Sequence, residues 1–326
     1  MAFEKGTATD FADLFSKFVS FLSTNPSLVA AGANAEIVFR SKPANWDGKV
    51  LTSVQREHVV FKQPGAGGTD QIFTSLTSFG DTASDFYNWQ IMGSSGFNPA
   101  ALAANYGVLA QGHIGGSPPV GALLWNQAMP YWFFANGRRW WIVVKVSSIY
   151  TSFGAGFILP SVAPSQFPYP LAVWSGYPDS VDRWSSNQDY HRGVTSPRWR
   201  SMFLRQPAGR WADFYSDAVY STPLVAGGET RRIHPLGVNG LAGQGYNALA
   251  AMRDSPGAKY PLIPITLFSY GSEGNNTYGE ADGLFFVPVL NNGAEDEVVI
   301  DGVTYIIFQS AFRTGSPYLF ALRVDA

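Results

Sequence analysis

Residues Tyr131-Trp-Phe-Phe-Ala-Asn-Gly-Arg-Arg-Trp-Trp-Ile-Val-Val-Lys-Val146 decide the fold class. Two runs of aromatic and β-branched residues flank Asn136-Gly137. Asn-Gly between strand-forming runs is the strongest short-range hairpin signal, because both turn positions are then expected at φ > 0. The same grammar recurs near the C-terminus, where Val298-Val-Ile300 and Val303-Thr-Tyr-Ile-Ile-Phe308 flank Asp301-Gly302. Leu284 to Leu290 and Tyr318 to Val324 are expected to join that sheet. Pro288 should then lie at an edge or bulge, since proline cannot donate to the ladder.

Upstream, Glu36 to Arg40, Val50 to Phe61 and Gln71 to Phe79 read as strands separated by turn clusters such as Gln63-Pro-Gly-Ala-Gly-Gly68. Asp85 to Ile91 gathers Phe86, Tyr87 and Trp89, and residues 93 to 121 read as loop. Between the two hairpins, residues 160 to 264 are rich in Pro, Gly, Ser and Trp. They read as ordered loops pinned by Trp174, Trp184, Trp199 and Trp211, because so many large apolar rings demand burial. The N-terminus differs. Phe11, Leu14, Phe15, Phe18 and Leu22 recur at helical spacing and build one apolar stripe. Thr7 or Thr9 can cap this helix, Asp10 favours its positive end, and Asn25-Pro26 stops it. A further helical turn is expected over residues 27 to 33. The expected fold is mainly β: an antiparallel sandwich or barrel-like body (34–326) with an N-terminal amphipathic helical arm (1–33) and long aromatic-rich ordered loops.

Composition narrows the function. The chain has 326 residues, enough for one large β domain or two modest ones. Charged residues are 14% and aromatics 15%. Low charge with many aromatics matches interface cores, so part of the aromatic surface is expected to meet another protein; the plainer reading is a large core with apolar loops. A net charge of −2 with no long basic run gives no reason to expect nucleic acid. Zero cysteines remove disulfides and thiolate chemistry. Met1 to Gly6 carries Glu4 and Lys5 and no apolar run, so no signal peptide is read there, and no stretch reaches the roughly 20 apolar residues of a membrane span. The expectation is a chain folded in a cytosol, without membrane insertion.

Chemistry-bearing patterns are sparse. His58, His113, His191 and His234 show no metal-ligand spacing, and no nucleophile elbow or phosphate-binding loop is present. The glycosidase test is two carboxylates facing each other. Candidate pairs are Asp81 with Asp85, Asp179 with Asp182, and Glu280 with Asp282, the last two residues apart in a strand and so able to share a face. The plainer reading of Glu280-Ala-Asp282-Gly283 is a polar turn before Leu284-Phe-Phe. Glu295-Asp296-Glu297 is a solvated acidic cluster or a weak Ca²⁺ site. Trp184, Asn187, Asp189 and Tyr190 offer ring faces and polar groups that suit a glycan, or an interface loop. No catalytic residue, cofactor or metal is assigned.

Several segments, in order, resemble one family. They are Gly6-Thr-Ala-Thr-Asp10; Pro130-Tyr-Trp-Phe-Phe-Ala-Asn-Gly-Arg-Arg139 with its following strand; Gly156-Phe-Ile-Leu-Pro160 and Pro164-Ser-Gln-Phe-Pro-Tyr-Pro-Leu171; Tyr278-Gly-Glu280 with Asp282-Gly-Leu-Phe-Phe-Val-Pro288; and Phe312-Arg-Thr-Gly315 leading to Arg323. This resembles virion structural proteins encoded in the tail region of tailed bacteriophages and prophages of Gram-negative bacteria. The resemblance implies a non-enzymatic virion component, of tail or baseplate, assembled in the host cytoplasm with other virion proteins and copies of itself. The alternatives are a receptor- or carbohydrate-binding virion module that meets a host surface glycan, and a virion-associated glycan hydrolase. The interface candidates are the stripe Phe11, Leu14, Phe15 and Phe18, docking on a neighbour or buried on its own body; Arg138 and Arg139, pairing with a partner or solvated at a hairpin tip; and Phe167 and Tyr169, projecting from a proline-stiffened loop that meets a partner or lids the sheet.

Overall fold

The computed structural model describes residues 2–41, 56–67, 69–81, 83–102, 112–175, 202–214, 230–234, 262–271, 274–288, 293–309 and 318–324. With strands numbered along the chain, the central sheet runs β1 (Ala2–Ala8), β9 (Met129–Asn136), β10 (Arg139–Val146), β11 (Ile149–Phe157), β13 (Leu171–Trp174), β14 (Met202–Arg205) and β15 (Trp211–Phe214), each antiparallel to the next. A second sheet runs β2 (Glu36–Ser41), β3 (Arg56–Gln63), β4 (Ile72–Asp81), β5 (Phe86–Ser94) and β8 (Val120–Leu124). A ribbon of β6 (Gly96–Phe97) and β7 (His113–Ile114) follows β5. The third sheet runs β16 (Thr230–His234), β17 (Ile263–Gly271), β18 (Gly274–Pro288), β21 (Tyr318–Val324), β20 (Val303–Gln309) and β19 (Glu297–Ile300), with β12 (Leu159–Pro160) also on β18.

The alternation of side chains explains the layering. Tyr131, Phe133, Trp140, Ile142 and Val144 turn to one face of the central sheet and pack with the second sheet. Trp132, Phe134, Trp141 and Val143 turn to the other and pack with the third. Both faces are covered, so Tyr131–Ala135 of β9 and Trp140–Val144 of β10 read as unbroken apolar runs and not as apolar–polar alternation. The fold is mainly β and sandwich-like, as expected, with the central sheet as the filling.

The N-terminal segment is not an arm on a separate body. β1 forms the edge of the central sheet, in unbroken register with β9 from Ala2↔Ala135 to Ala8↔Met129. Helix α1 (Phe11–Thr24) is capped by Asp10, whose carboxylate accepts from the Ala12 and Asp13 backbone N–H groups, while Asp13 accepts from Thr9. It stops at Asn25, and Pro26 opens the short helix α2 (Pro26–Ala30). Helix α1 wedges between the central and second sheets. The Phe18 ring stands 5.1 Å from Phe133, 5.0 Å from Trp140, 6.3 Å from Phe61 and 6.3 Å from Trp89.

Candidate functional site

Arg138 and Arg139 follow the hairpin turn between β9 and β10. They are not a solvated tip. The hairpin ends against the third sheet, where Asp282 on β18 is buried. Arg138 Nη2 lies 3.2 Å and Arg139 Nε 3.4 Å from Asp282 Oδ2, and Arg323 Nη2 on β21 lies 3.8 Å from Oδ1. Asn136 holds the hairpin in place: its Oδ1 accepts from the Arg138 and Arg139 N–H groups at 2.9 Å, and its Nδ2 reaches Asp282 at 3.4 Å. Trp141 Nε1 donates to the Asp282 carbonyl at 2.9 Å. Gly283 takes φ +72, and a Cβ there would meet Arg139 Nη2 at 2.3 Å, so only glycine lets the guanidinium in. The arrangement converges three cations on one carboxylate and ties two sheets together. Arg139 is therefore an internal residue, and Arg138, with a side chain 39% exposed, is the member that reaches the surface.

The proline-stiffened loop is likewise a tie within the chain. Phe167 is buried in the core between the central and third sheets, with Tyr278 of β18 at 6.5 Å. Tyr169 points the other way, its hydroxyl 2.7 Å from the Gln71 carbonyl and 2.9 Å from the Ser94 carbonyl of the second sheet. Burial pushes the Tyr169 phenol well above its ordinary range. Arg205 stacks over its ring at 5.1 Å. The loop lids the stack and buckles its layers.

These placements correct the interface expectations for six side chains. Phe11, Leu14, Phe15 and Phe18 are fully buried in their own core, and Arg139 and Phe167 nearly so, which leaves them no face for a neighbour. The physical reason is the wedge: two diverging sheets leave a gap that the stripe fills. Trp184, Asn187, Asp189 and Tyr190 lie outside the described residues, as do Asp179 and Asp182.

The carboxylate candidates that are described do not face one another. Asp282 is buried among arginines while Glu280 is exposed, and Gly279 and Gly283 take positive φ on either side of them within β18. Asp81 accepts from Ala83 N–H and the Ser84 hydroxyl as a turn residue, and Asp85 takes φ 53 in that turn. The acidic trio 295–297 also splits. Glu295 binds Lys145 at 2.7 Å and Tyr150 at 2.5 Å, Asp296 accepts from Gly293 N–H, and Glu297 pairs with Lys5 at 3.1 Å. Burial, with the Glu295 hydrogen bond second, pushes the Tyr150 phenol up to about 12. Burial also raises Glu295, but the Lys145 and Tyr150 hydrogen bonds outweigh it and hold that carboxyl low. Among the described residues no group of three or more His, Asp or Glu is placed to hold a metal ion, and no described helix is long and apolar enough to cross a membrane.

Sequence reasoning missed Asp282 as the hub of the cluster. The signal was present as a lone Asp before the apolar run Leu284-Phe-Phe, together with an Arg pair after a hairpin. It also missed β1, β8 and β11. No family model matches the chain, and no curated protein matches it.

Proposed function

We propose that the chain is a non-enzymatic structural component of a tailed-bacteriophage virion, in the tail or baseplate, acting by multi-copy assembly with neighbouring virion subunits. One observation carries the reading. Several of the described segments on which the resemblance rests are far apart in sequence, yet they meet in space. The Ala135-Asn-Gly-Arg-Arg139 hairpin and Asp282-Gly-Leu-Phe-Phe join through Arg138, Arg139 and Asp282. The Pro164-Ser-Gln-Phe-Pro-Tyr-Pro170 run meets Tyr278 through Phe167 and the second sheet through Tyr169. These contacts fasten the three sheets into one block. A stiff block suits a particle subunit, because a preorganised surface loses little entropy on assembly, and symmetric repetition multiplies each contact.

The test is mass spectrometry of purified particles from the phage that encodes the chain, followed by a cryo-EM reconstruction. The expected result is several symmetric copies in the tail or baseplate. Absence of the chain from purified particles overturns the reading.

A further inference from the structure

We infer that Asp301–Gly302, the turn between β19 and β20, is a site of spontaneous backbone modification, where aspartate converts to isoaspartate and loosens the edge strand β19. The inference does not rest on the virion reading.

The reaction needs neither an enzyme nor a co-reactant other than water. The main-chain nitrogen of the residue after an aspartate attacks the side-chain carboxyl carbon. A C–N bond forms, a C–O bond breaks, and water leaves with the amide proton, which closes a succinimide ring. Water then reopens the ring. Addition at the side-chain carbonyl restores aspartate. Addition at the main-chain carbonyl leaves the chain running through the side-chain carbon, at unchanged mass and with an extra methylene in the backbone. A glycine in the next position favours the attack, because it has no Cβ to shield the nitrogen.

Among the described residues three Asn–Gly or Asp–Gly pairs occur, at 136, 282 and 301. The sequence marks all three, and the structure separates them. Asn136 is buried, and its Oδ1 accepts from the Arg138 and Arg139 N–H groups. Asp282 is buried, its carboxylate is held by Arg138 and Arg139, and the Arg139 guanidinium packs against Gly283. Neither side chain can swing onto the following nitrogen without breaking those contacts. Asp301 and Gly302 are both exposed. Among the described residues the Asp301 carboxylate makes no hydrogen bond or ion pair, and the Gly302 N–H makes no backbone hydrogen bond. Nothing lies within 4 Å of the place a Gly302 Cβ would take. An exposed turn of this kind opens locally at little cost, whereas Asp282 reacts only after the core has opened.

The modification has a structural consequence. Ile300 lies directly across from Val303, so the turn holds two residues and no more. A two-residue loop sets the register of its hairpin, and an extra backbone methylene displaces that first pair. Among the described strands β19 pairs only with β20. The disturbance therefore spreads along β19 towards Glu297 and its contact with Lys5.

The test ages the purified full chain at neutral pH, folded and in urea. Proteolysis and electron-transfer fragmentation then distinguish the two linkages at equal mass. Hydrogen exchange of residues 297–300 is compared before and after ageing, in the wild type and in Asp301→Ser, which cannot close the ring. In the folded chain isoaspartate should accumulate at 301 about tenfold or more above its level at 282, and the two sites should converge in urea. Residues 297–300 should exchange faster in the aged wild type and unchanged in aged Asp301→Ser. If the folded chain gains no isoaspartate at 301, or gains as much at 282, the inference is overturned. If 301 is modified while residues 297–300 exchange as before, or loosen equally in Asp301→Ser, the loosening of β19 is overturned.

Discussion

Arg139 Nε stands 3.4 Å from Asp282 Oδ2 with both side chains 2% exposed, so an ion pair between two different sheets is sealed inside the protein. Removing one member of a buried pair costs about 3–5 kcal/mol, because the remaining charge stays desolvated. Asp282→Asn should therefore destabilise the chain by that order, and the loss should appear as a lower midpoint in urea at unchanged slope. Arg138→Ala, at the exposed rim of the same carboxylate, should cost below about 1 kcal/mol. Equal losses for the two variants would show that the cluster is not graded by burial.

Phe18 makes the wedge. Its ring meets partners on α1, β3, β5, β9 and β10 and is fully buried. Phe18→Ala should cost about 3–5 kcal/mol, since two sheets held apart by a helix cannot collapse onto the cavity. Trp89 and Trp140 both border that ring, so the folded-state tryptophan emission should shift as well. A loss below about 1 kcal/mol would mean that the helix sits loosely on the body.

Phe167 and Tyr169 tie the proline-stiffened loop to opposite layers. Tyr169→Phe removes only the hydroxyl that reaches the Gln71 and Ser94 carbonyls, and should cost about 1–2 kcal/mol. Phe167→Ala should cost more, about 3–5 kcal/mol, through lost core volume. Limited proteolysis of the loop should follow the same order, Phe167→Ala before Tyr169→Phe.

The two hairpins were legible for different reasons, and the difference can be tested. Asp301 and Gly302 take φ 51 and 78, the paired left-handed turn expected of Asp-Gly. At the other hairpin the turn residues are Gly137 and Arg138, and neither takes a positive φ. There Asn136 acts instead through its side chain, which caps the turn at two backbone N–H groups. Gly302→Ala should thus be destabilising by roughly 1 kcal/mol although its surroundings are open, whereas Gly137→Ala, meeting Pro64 and Ala33 at 3.4 to 3.5 Å, should change stability by less than about 0.5 kcal/mol. Equilibrium unfolding of the two variants decides it.

What escaped the sequence has physical causes. β1 (Ala-Phe-Glu-Lys-Gly-Thr-Ala) lacks a run of β-formers; it is a strand because β9 offers it an edge. β13, β14 and β15 are four residues each, too short for a period to emerge among prolines and glycines. The stripe of α1 was plain, but its partner was not, because periodicity reveals that a face is buried and never against what. The same holds for Arg138 and Arg139: the pair was visible, and the carboxylate that receives it lies about 140 residues downstream, beyond any local pattern.

Two histidines give the chain an acid limit. The His58 ring lies 5.6 Å from Phe39, Phe39 lies 6.1 Å from Phe97, and Phe97 lies 5.2 Å from His113, so a row of four rings holds the β6–β7 ribbon to the second sheet. The Ser94 hydroxyl donates to the Gly96 carbonyl and accepts from His113 Nδ1, while Nε2 of both histidines is buried without a hydrogen-bond partner among the described residues. Burial pushes both imidazoles down to about 4, with the charge of His113 adding to the effect at His58. The packed elements bring Phe39 and Ser41 from β2, Thr77 from β4, Ser94 from β5 and Phe97 from β6, none of them a carboxylate; along β2 and β3, Arg40 pairs with Glu57 and Lys62 with Glu36. Both folded values lie below the ordinary 6.5, so the unfolded chain binds more protons between those limits, and stability is full above about pH 6.5 and falls as the pH drops towards 4. The loss is at most roughly 3 kcal/mol per histidine. A His58→Gln, His113→Asn variant should lose markedly less stability than the wild type over that window in urea melts at stepped pH. Parallel curves for the two proteins would place the acid sensitivity elsewhere.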